Sequence, residues 1–260
     1  MSIKVNGTDI GSSIKLNNID LSEIVFNGVS VWKNLPASLE AATWDEIKTA
    51  IQNGTFTQFA SVGDTKTFQI NNKTYTAEVV AINTGFGSAA EWYPDKTVDF
   101  ITKELYTTTY QYNTTVKNNG GFPSSKIKNT LNNTLYPLLP TDLKSVIIDK
   151  SHSYQAGSYS TITNKWSSSM TTLATKLWLP TTYEIAGGVN TYAPDETSSN
   201  NKKYTLSSII KSRNGSNDNW WLGSPYTSYE RVFWKVSSYG VMNYADADAS
   251  IGVPICFRIG

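Results

Sequence analysis

Two apolar runs near the end of this sequence constrain its fold more than any other feature: Asn219-Trp220-Trp221-Leu222-Gly223-Ser224-Pro225 and Ile251-Gly252-Val253-Pro254-Ile255-Cys256-Phe257-Arg258-Ile259. Runs this rich in large apolar side chains must be buried, so both brackets belong to a core. Between them the chain is small, aromatic or polar, interrupted at Val232, Phe233, Val236 and Gly240 by residues of the kind strands bury. Tyr, Ser, Gly and Asn suit binding loops, because Tyr offers a large contact area at low entropic cost. The reading is a rigid scaffold whose outward side chains form a candidate ligand-binding surface: Tyr226, Ser228, Tyr229, Glu230, Trp234, Lys235, Ser237, Tyr239, Asn243, Tyr244, Asp246, Asp248 and Ser250. An ordinary solvated sheet face with cross-strand aromatic pairs would use the same residues. Trp234 neighbours Phe233 and is the member with a competing inward reading. Adjacent strand residues face opposite sides, so at least one of Trp220 and Trp221 is expected in the core.

Charge and composition exclude several classes. A net charge of +1 provides no field for nucleic acid, and no run reaches the roughly 20 apolar residues of a membrane helix. Met1-Ser2-Ile3-Lys4 leads into polar alternation, so no signal peptide is expected, and an extracellular role would mean export by lysis or on a particle. One cysteine, Cys256, and one histidine, His152, rule out an internal disulfide framework and two-histidine metal sites. Cys256 is expected to be buried and inert, and His152 to lie in a loop. Asp246-Ala247-Asp248 places two carboxylates on one strand face, with Asn217-Asp218-Asn219 nearby, yet calcium takes about six to eight oxygens and no loop supplies them. No metal or cofactor is expected. Glu230 with Asp246 could imitate the carboxylate pair of a glycosidase, but nothing sets their separation, and no catalytic residue is assigned.

Along the chain, Asn6-Gly7 and Asn27-Gly28 mark hairpin turns in a segment, 1–36, too small to hold a core and expected to pack in an assembly. The main domain is expected over 37–260. Thr43-Trp44-Asp45-Glu46 is a capping box that predicts a helix over 44–53 stopped by Gly54. Alternation predicts a hairpin from Thr65 to Ile70 and Thr74 to Ile82. Ser125 should cap a helix carrying Ile127, Leu131 and Leu135 that Pro137 ends, and Pro140 to Leu143 a short helical turn leading to a strand at Val146-Ile147-Ile148. Leu177 to Pro180 reads as a buried strand, Thr181 to Ala186 as a helical turn, 189–204 as a polar loop, and Leu206, Ile209 and Ile210 as a small helix. Without a βαβ rhythm, the class is α+β.

Several of these segments, taken in order, resemble the DUF6273 domain of Firmicutes and their phages: Thr43-Trp44-Asp45-Glu46-Ile47, Val62 to Thr67, Asn72 to Thr76, Leu139 to Leu143, Leu177 to Pro180 with Glu184-Ile185, and Trp220-Trp221-Leu222 with Ser224-Pro225. The resemblance extends over about 37–260. It departs from the family's usual pattern at Leu222-Gly223, where Arg is common, and at Pro254-Ile255-Cys256, where Arg-Pro-Ala is common. Phage members resemble the variable proteins of diversity-generating retroelements, in which adenine mutagenesis diversifies chosen surface codons on a C-type-lectin-like fold. The resemblance therefore implies a C-type-lectin-like domain with a variable region at about 220–260. It also implies a non-enzymatic receptor-binding or adhesion protein of a phage tail or extracellular surface. Its partners would be a surface protein or glycan of a bacterial host and other tail proteins. The segment before Ala37 suggests a homo-oligomer, a trimer being the expectation. A carbohydrate-binding lectin, a carbohydrate-processing enzyme and a purely structural tail component are the alternatives.

Overall fold

The computed structural model describes residues 35–83, 96–167, 169–187 and 203–260, together with the backbone of short strands between 4 and 33. Those early strands pair as three antiparallel hairpins: Lys4–Val5 with Thr8–Asp9, Ile14–Leu16 with Ile19–Leu21, and Glu23–Phe26 with Val29–Lys33. The Asn-Gly turns expected at 6–7 and 27–28 lie outside the described residues, as does most of the polar loop expected over 189–204.

Helix α1 (Trp44–Asn53) starts as its sequence predicts. The Thr43 side chain accepts from the Glu46 amide at 3.2 Å, and the Glu46 carboxylate accepts from the Thr43 amide at 2.7 Å. Gly54, at φ 72°, supplies the left-handed stop. Trp44, Ile47, Ala50 and Ile51 form its buried face. That face lies on a five-stranded antiparallel sheet built from β1 (Thr65–Ile70), β2 (Lys73–Asn83), β3 (Thr97–Thr102), β4 (Ile147–Ile148) and a terminal strand (Cys256–Ile259), in the order β4, terminal strand, β3, β2, β1. Asn71 and Asn72 take positive φ in the two-residue β1–β2 turn, which asparagine tolerates better than most residues. Trp44 is the point of contact, with its ring 5.9 Å from both Phe100 and Phe257, which stack on each other across neighbouring strands at 5.2 Å.

Helix α2 (Lys126–Thr130) is capped by Ser125, and Ile127, Leu131 and Leu135 are fully buried. It runs into a wider π turn (Leu131–Leu135) before the tighter Tyr136–Leu138 turn that contains Pro137. In the π turn Asn132 grips the backbone of Leu177 at both ends, accepting from its N–H at 3.1 Å and donating to its C=O at 2.9 Å. Leu177 to Pro180 is buried as expected but forms no strand: it meets the terminal strand only through an isolated bridge between Trp178 and Cys256, its backbone being held instead by Asn132 at Leu177. Helix α3 (Thr141–Val146) leads into β4, and α4 (Thr182–Ala186) carries its own capping box through Thr181 and Glu184.

Two further expectations are corrected. No helix forms around Leu206, Ile209 and Ile210, because other segments take the backbone donors there: Tyr204 N–H bonds to Glu184 C=O, Thr205 N–H to Val80 C=O, and Ser207 N–H to the Glu78 carboxylate. His152 is no loop residue. It lies in β5 (Lys150–Gln155), opposite Leu173 of β6 (Met170–Thr175), fully buried and stacked on Tyr154.

His152 borders a buried polar cluster. Arg258 clamps Asp99 across neighbouring strands, Nε to Oδ1 at 2.6 Å and Nη2 to Oδ2 at 3.0 Å. Lys150 Nζ sits 3.2 Å from Asp99 and 2.6 Å from Glu184, and also bonds the Tyr204 hydroxyl. Two cations thus face two carboxylates, the condition under which buried charge is tolerated. Although burial raises a carboxyl pKa, Arg258 and Lys150 outweigh it and hold Asp99 at about 2. Burial, reinforced by Lys150 and Arg258, pushes His152 well below its usual range, so its 3.5 Å contact with Glu184 involves a neutral ring. Cys256 is buried and its thiol is raised by desolvation, the inert cysteine expected.

Trp44→Ala should cost about 3–5 kcal/mol by urea denaturation, the range for emptying a large aromatic site. A loss under about 1 kcal/mol would refute its place at the centre of the sheet contact. Acid should destabilise the domain in two stages. Below about pH 6.5 the unfolded chain takes up a proton that buried His152 refuses, and below about pH 4 it protonates Asp99 while the native state holds that carboxylate ionised to about pH 2. Each group lowers the folding equilibrium constant up to roughly tenfold per pH unit in its window. The melting temperature should fall from pH 7 to pH 5, and less steeply in His152→Phe.

Candidate ligand-binding surface

The bracketed stretch forms a second, three-stranded antiparallel sheet of β7 (Trp220–Pro225), β8 (Val232–Val236) and β9 (Met242–Asp246). The terminal strand of the first sheet is β10. Strand alternation gives the second sheet two distinct sides. On the inner side, Phe233 stacks on Tyr112 with centroids 3.5 Å apart, and Trp221 meets the same ring edge-on at 5.2 Å. Both tryptophans of the first bracket are fully buried, one more than alternation requires. Trp220 Nε1 donates to Ile209 C=O, and the chain that carries Ile209 covers the side on which Trp220 lies. Trp221 Nε1 donates to Tyr110 C=O.

On the outer side, Trp234 and Tyr244 are cross-strand partners. Tyr226 lies against both, its ring 5.0 Å from Trp234 and 4.7 Å from Tyr244, and stacks on Tyr229 at 5.6 Å. Four aromatic candidates thus share one face. Tyr226, 9% exposed, and half-buried Trp234 make its floor, while Tyr229 and Tyr244, 51% and 43% exposed, offer ring surface to solvent. Asp246 borders this face through a bidentate pair with Arg231, Nε to Oδ1 at 2.8 Å and Nη2 to Oδ2 at 2.7 Å. The hydrogen bond and charge of Asp246 raise the Arg231 pKa, with further contributions from Asp248 and Glu230.

The other candidates are spread around this face. Ser228 and Glu230 are half-buried in the Tyr226–Arg231 loop. Lys235 and Asn243 are paired with each other on the opposite side of the sheet, and Lys235 Nζ donates to Asn219 Oδ1 at 3.0 Å. Burial lowers the Lys235 pKa. Ser237 and 85%-exposed Tyr239 belong to the 237–241 turn, where Ser237 Oγ accepts from Val241 N–H. Ser250 lies beyond β9, opposite Gln111. Asp246 and Asp248 do not share a strand face as expected: β9 ends at Asp246, Ala247 is buried, and Asp248 sits in the following turn with its C=O accepting from Gln111 Nε2. Among the described residues no cluster of three or more metal-ligating side chains forms.

Two important residues escaped sequence reasoning. Arg231 has no local signal, because its partner Asp246 lies fifteen positions further along the chain. Asn118 lies more than a hundred positions from the loop it organises, fully buried, with Nδ2 directed at the carbonyls of Tyr226, Tyr229 and Val232 at 3.2, 2.7 and 3.0 Å. Its backbone N–H takes a fourth carbonyl, that of Glu230. One amide therefore collects the loop's inward carbonyls. The Asn118 backbone C=O accepts from the N–H of Gly121 at 3.0 Å, a residue at φ 56° so close to β5 that a Cβ built on it would fall 1.8 Å from the Gln155 C=O. No local signal in sequence announces such a long-range cap.

The model of a domain of unknown function, DUF6273, matches residues 96–260. The chain belongs to the DUF6273 family. The DUF6273 match begins at the edge of β3 and takes in the buried cluster, Asn118 and the aromatic face. It is shorter than the resemblance suggested, leaving Thr43 to Ile47, Val62 to Thr67 and Asn72 to Thr76 outside it. No curated protein and no solved structure matches the chain.

Replacing Asn118 with Ala should remove the side-chain donor shared by three loop carbonyls, of which those of Tyr226 and Val232 keep backbone donors, at a cost of about 2 kcal/mol. Hydrogen exchange should quicken at the amides of 226–232 while those of β3 stay protected. Unchanged exchange in the loop would show that Asn118 does not hold it.

Proposed function

We propose that this DUF6273 protein is a non-enzymatic receptor-binding or adhesion protein that presents the outer face of the β7–β9 sheet to its ligand. The observation that carries this reading is the gathering of Tyr226, Tyr229, Trp234 and Tyr244 on one face whose opposite side is bolted to the core by Trp221, Phe233 and Tyr112. Large aromatic side chains on a rigid support make contacts at little entropic cost. The inner side chains carry the packing, so outer ones can change without loss of the core.

The finer reading is a C-type-lectin-like domain with a diversified surface, carried on a phage tail or extracellular particle. It is supported by the mixed architecture and by the palette of 226–250 between the two buried apolar brackets. The hairpins before residue 34 would serve assembly, as a trimer in our reading, and several copies would multiply modest site affinities. The partner would be a protein or glycan on a bacterial host.

Two measurements test this. The flanking DNA should carry a near-copy of the codons for 226–250, differing mainly at adenines, beside a reverse-transcriptase gene. Labelled protein should bind cells of some Firmicutes strains, and Tyr229→Ser with Tyr244→Ser should reduce that binding at least about tenfold while leaving the melting temperature within a few degrees. Undiminished cell binding by the double variant would remove the aromatic face from the function.

A further inference from the structure

We infer that Asn214 is a site of spontaneous chemical modification, its side-chain amide being converted to a carboxylate through attack by the backbone nitrogen of Gly215. An asparagine followed by glycine meets least obstruction to this attack, because glycine carries no side chain to shield its nitrogen. Among the described residues there are three such pairs, Asn53-Gly54, Asn119-Gly120 and Asn214-Gly215. All three asparagines are exposed, so exposure does not separate them. The glycine nitrogens do. Gly54 N–H donates to Ile51 C=O at 3.1 Å where α1 ends, and Gly120 N–H donates to Gly157 C=O at 2.9 Å. A nitrogen engaged in this way must first break its hydrogen bond before it can give up its proton and attack. Gly215 N–H makes no hydrogen bond among the described residues.

The surroundings of Asn214 favour the same site. Lys211–Arg213 and Ser216–Asp218 form a hairpin that Asn214 and Gly215 close in two residues, at φ 53° and 86°. A Cβ built on Gly215 would meet nothing within 4 Å, which leaves room for a ring. Lys73 Nζ donates to Asn214 Oδ1 at 3.1 Å, so it draws electron density from the carbon under attack and faces the oxyanion that develops there. The bond from Gly215 N to Asn214 Cγ forms, the Cγ–Nδ2 bond breaks, and ammonia leaves with the proton from the Gly215 nitrogen. Water then opens the resulting five-membered succinimide at one carbonyl or the other, giving aspartate or isoaspartate. No oxidant or cofactor is needed. The aspartate product places its charge against Lys73, so a hydrogen bond between the two hairpins becomes an ion pair.

The experiment incubates the full chain under mildly alkaline, warm conditions in water enriched in oxygen-18, then digests it in ordinary water with a protease that cleaves after lysine. Modification during the incubation adds about 3 Da to the peptide concerned, which mass spectrometry separates from later artefacts. Asn214 should react at least about fivefold faster than Asn53 and Asn119, the factor corresponding to one net hydrogen bond. In guanidinium chloride the three rates should converge, because the folded structure is what sets them apart. Lys73→Met should slow Asn214 severalfold and leave the other two pairs unchanged. Equal rates at the three pairs in the folded chain overturn the inference, as does an Asn214 that takes up label only when the chain is unfolded. An unchanged Asn214 rate in Lys73→Met overturns the part assigned to that lysine.

Discussion

The pairing of Asp99 with Arg258 is the interaction on which the rest of the structure depends. Arg258 belongs to β10, whose four residues are all buried between β4 and β3, so its guanidinium is almost wholly withdrawn from water. Only a carboxylate at the same register can make that burial tolerable, and Asp99 meets it with two hydrogen bonds. Lys150 and Glu184 extend the pair into β5 and α4, and Tyr204 brings in the chain that leads to the second sheet. Segments far apart in sequence are thereby joined through charges that cannot be separated without leaving one unpaired.

Around that anchor the aromatic residues divide into two populations. Trp44, Phe100 and Phe257 hold α1 to the first sheet, and Tyr112, Trp221 and Phe233 hold the second sheet to its support. Tyr229 and Tyr244 bury about half their surface and face outward. The β8 strand marks the division within five residues, with Phe233 committed to packing and its neighbour Trp234 to the outer cluster. A fold arranged this way loses stability when inner residues change and alters its surface when outer residues change.

The Tyr226–Arg231 loop between β7 and β8 would be soft if its conformation rested on local bonds alone. Its inward carbonyls instead converge on Asn118. Presenting rings from a loop pre-ordered in this way avoids part of the ordering entropy that binding otherwise costs. The same loop ends at Arg231, whose bidentate pair with Asp246 ties it to β9.

Local chemistry made much of the fold legible in the sequence. The capping box at Thr43, the Ser125 cap, the helical turn after Thr181 and the hairpin of β1 and β2 each depend on neighbours within a few positions, and all appear as read. The apolar brackets were legible as core for the same reason, because burial follows from side-chain type. Tertiary structure alone decided which remote groups meet. The backbone donors around Leu206 were claimed by Glu184, Val80 and Glu78, which cancelled a locally plausible helix. His152 was drawn into a strand and kept neutral by burial beside Lys150 and Arg258. At the site, the sequence nominated the tyrosines, but their convergence, the displacement of Lys235 to the other side, and the roles of Asn118 and Arg231 depend on strand register and on contacts across more than a hundred residues. Side-chain type and local spacing determine what a segment can become, and long-range pairing of buried polar groups determines which of those options is realised.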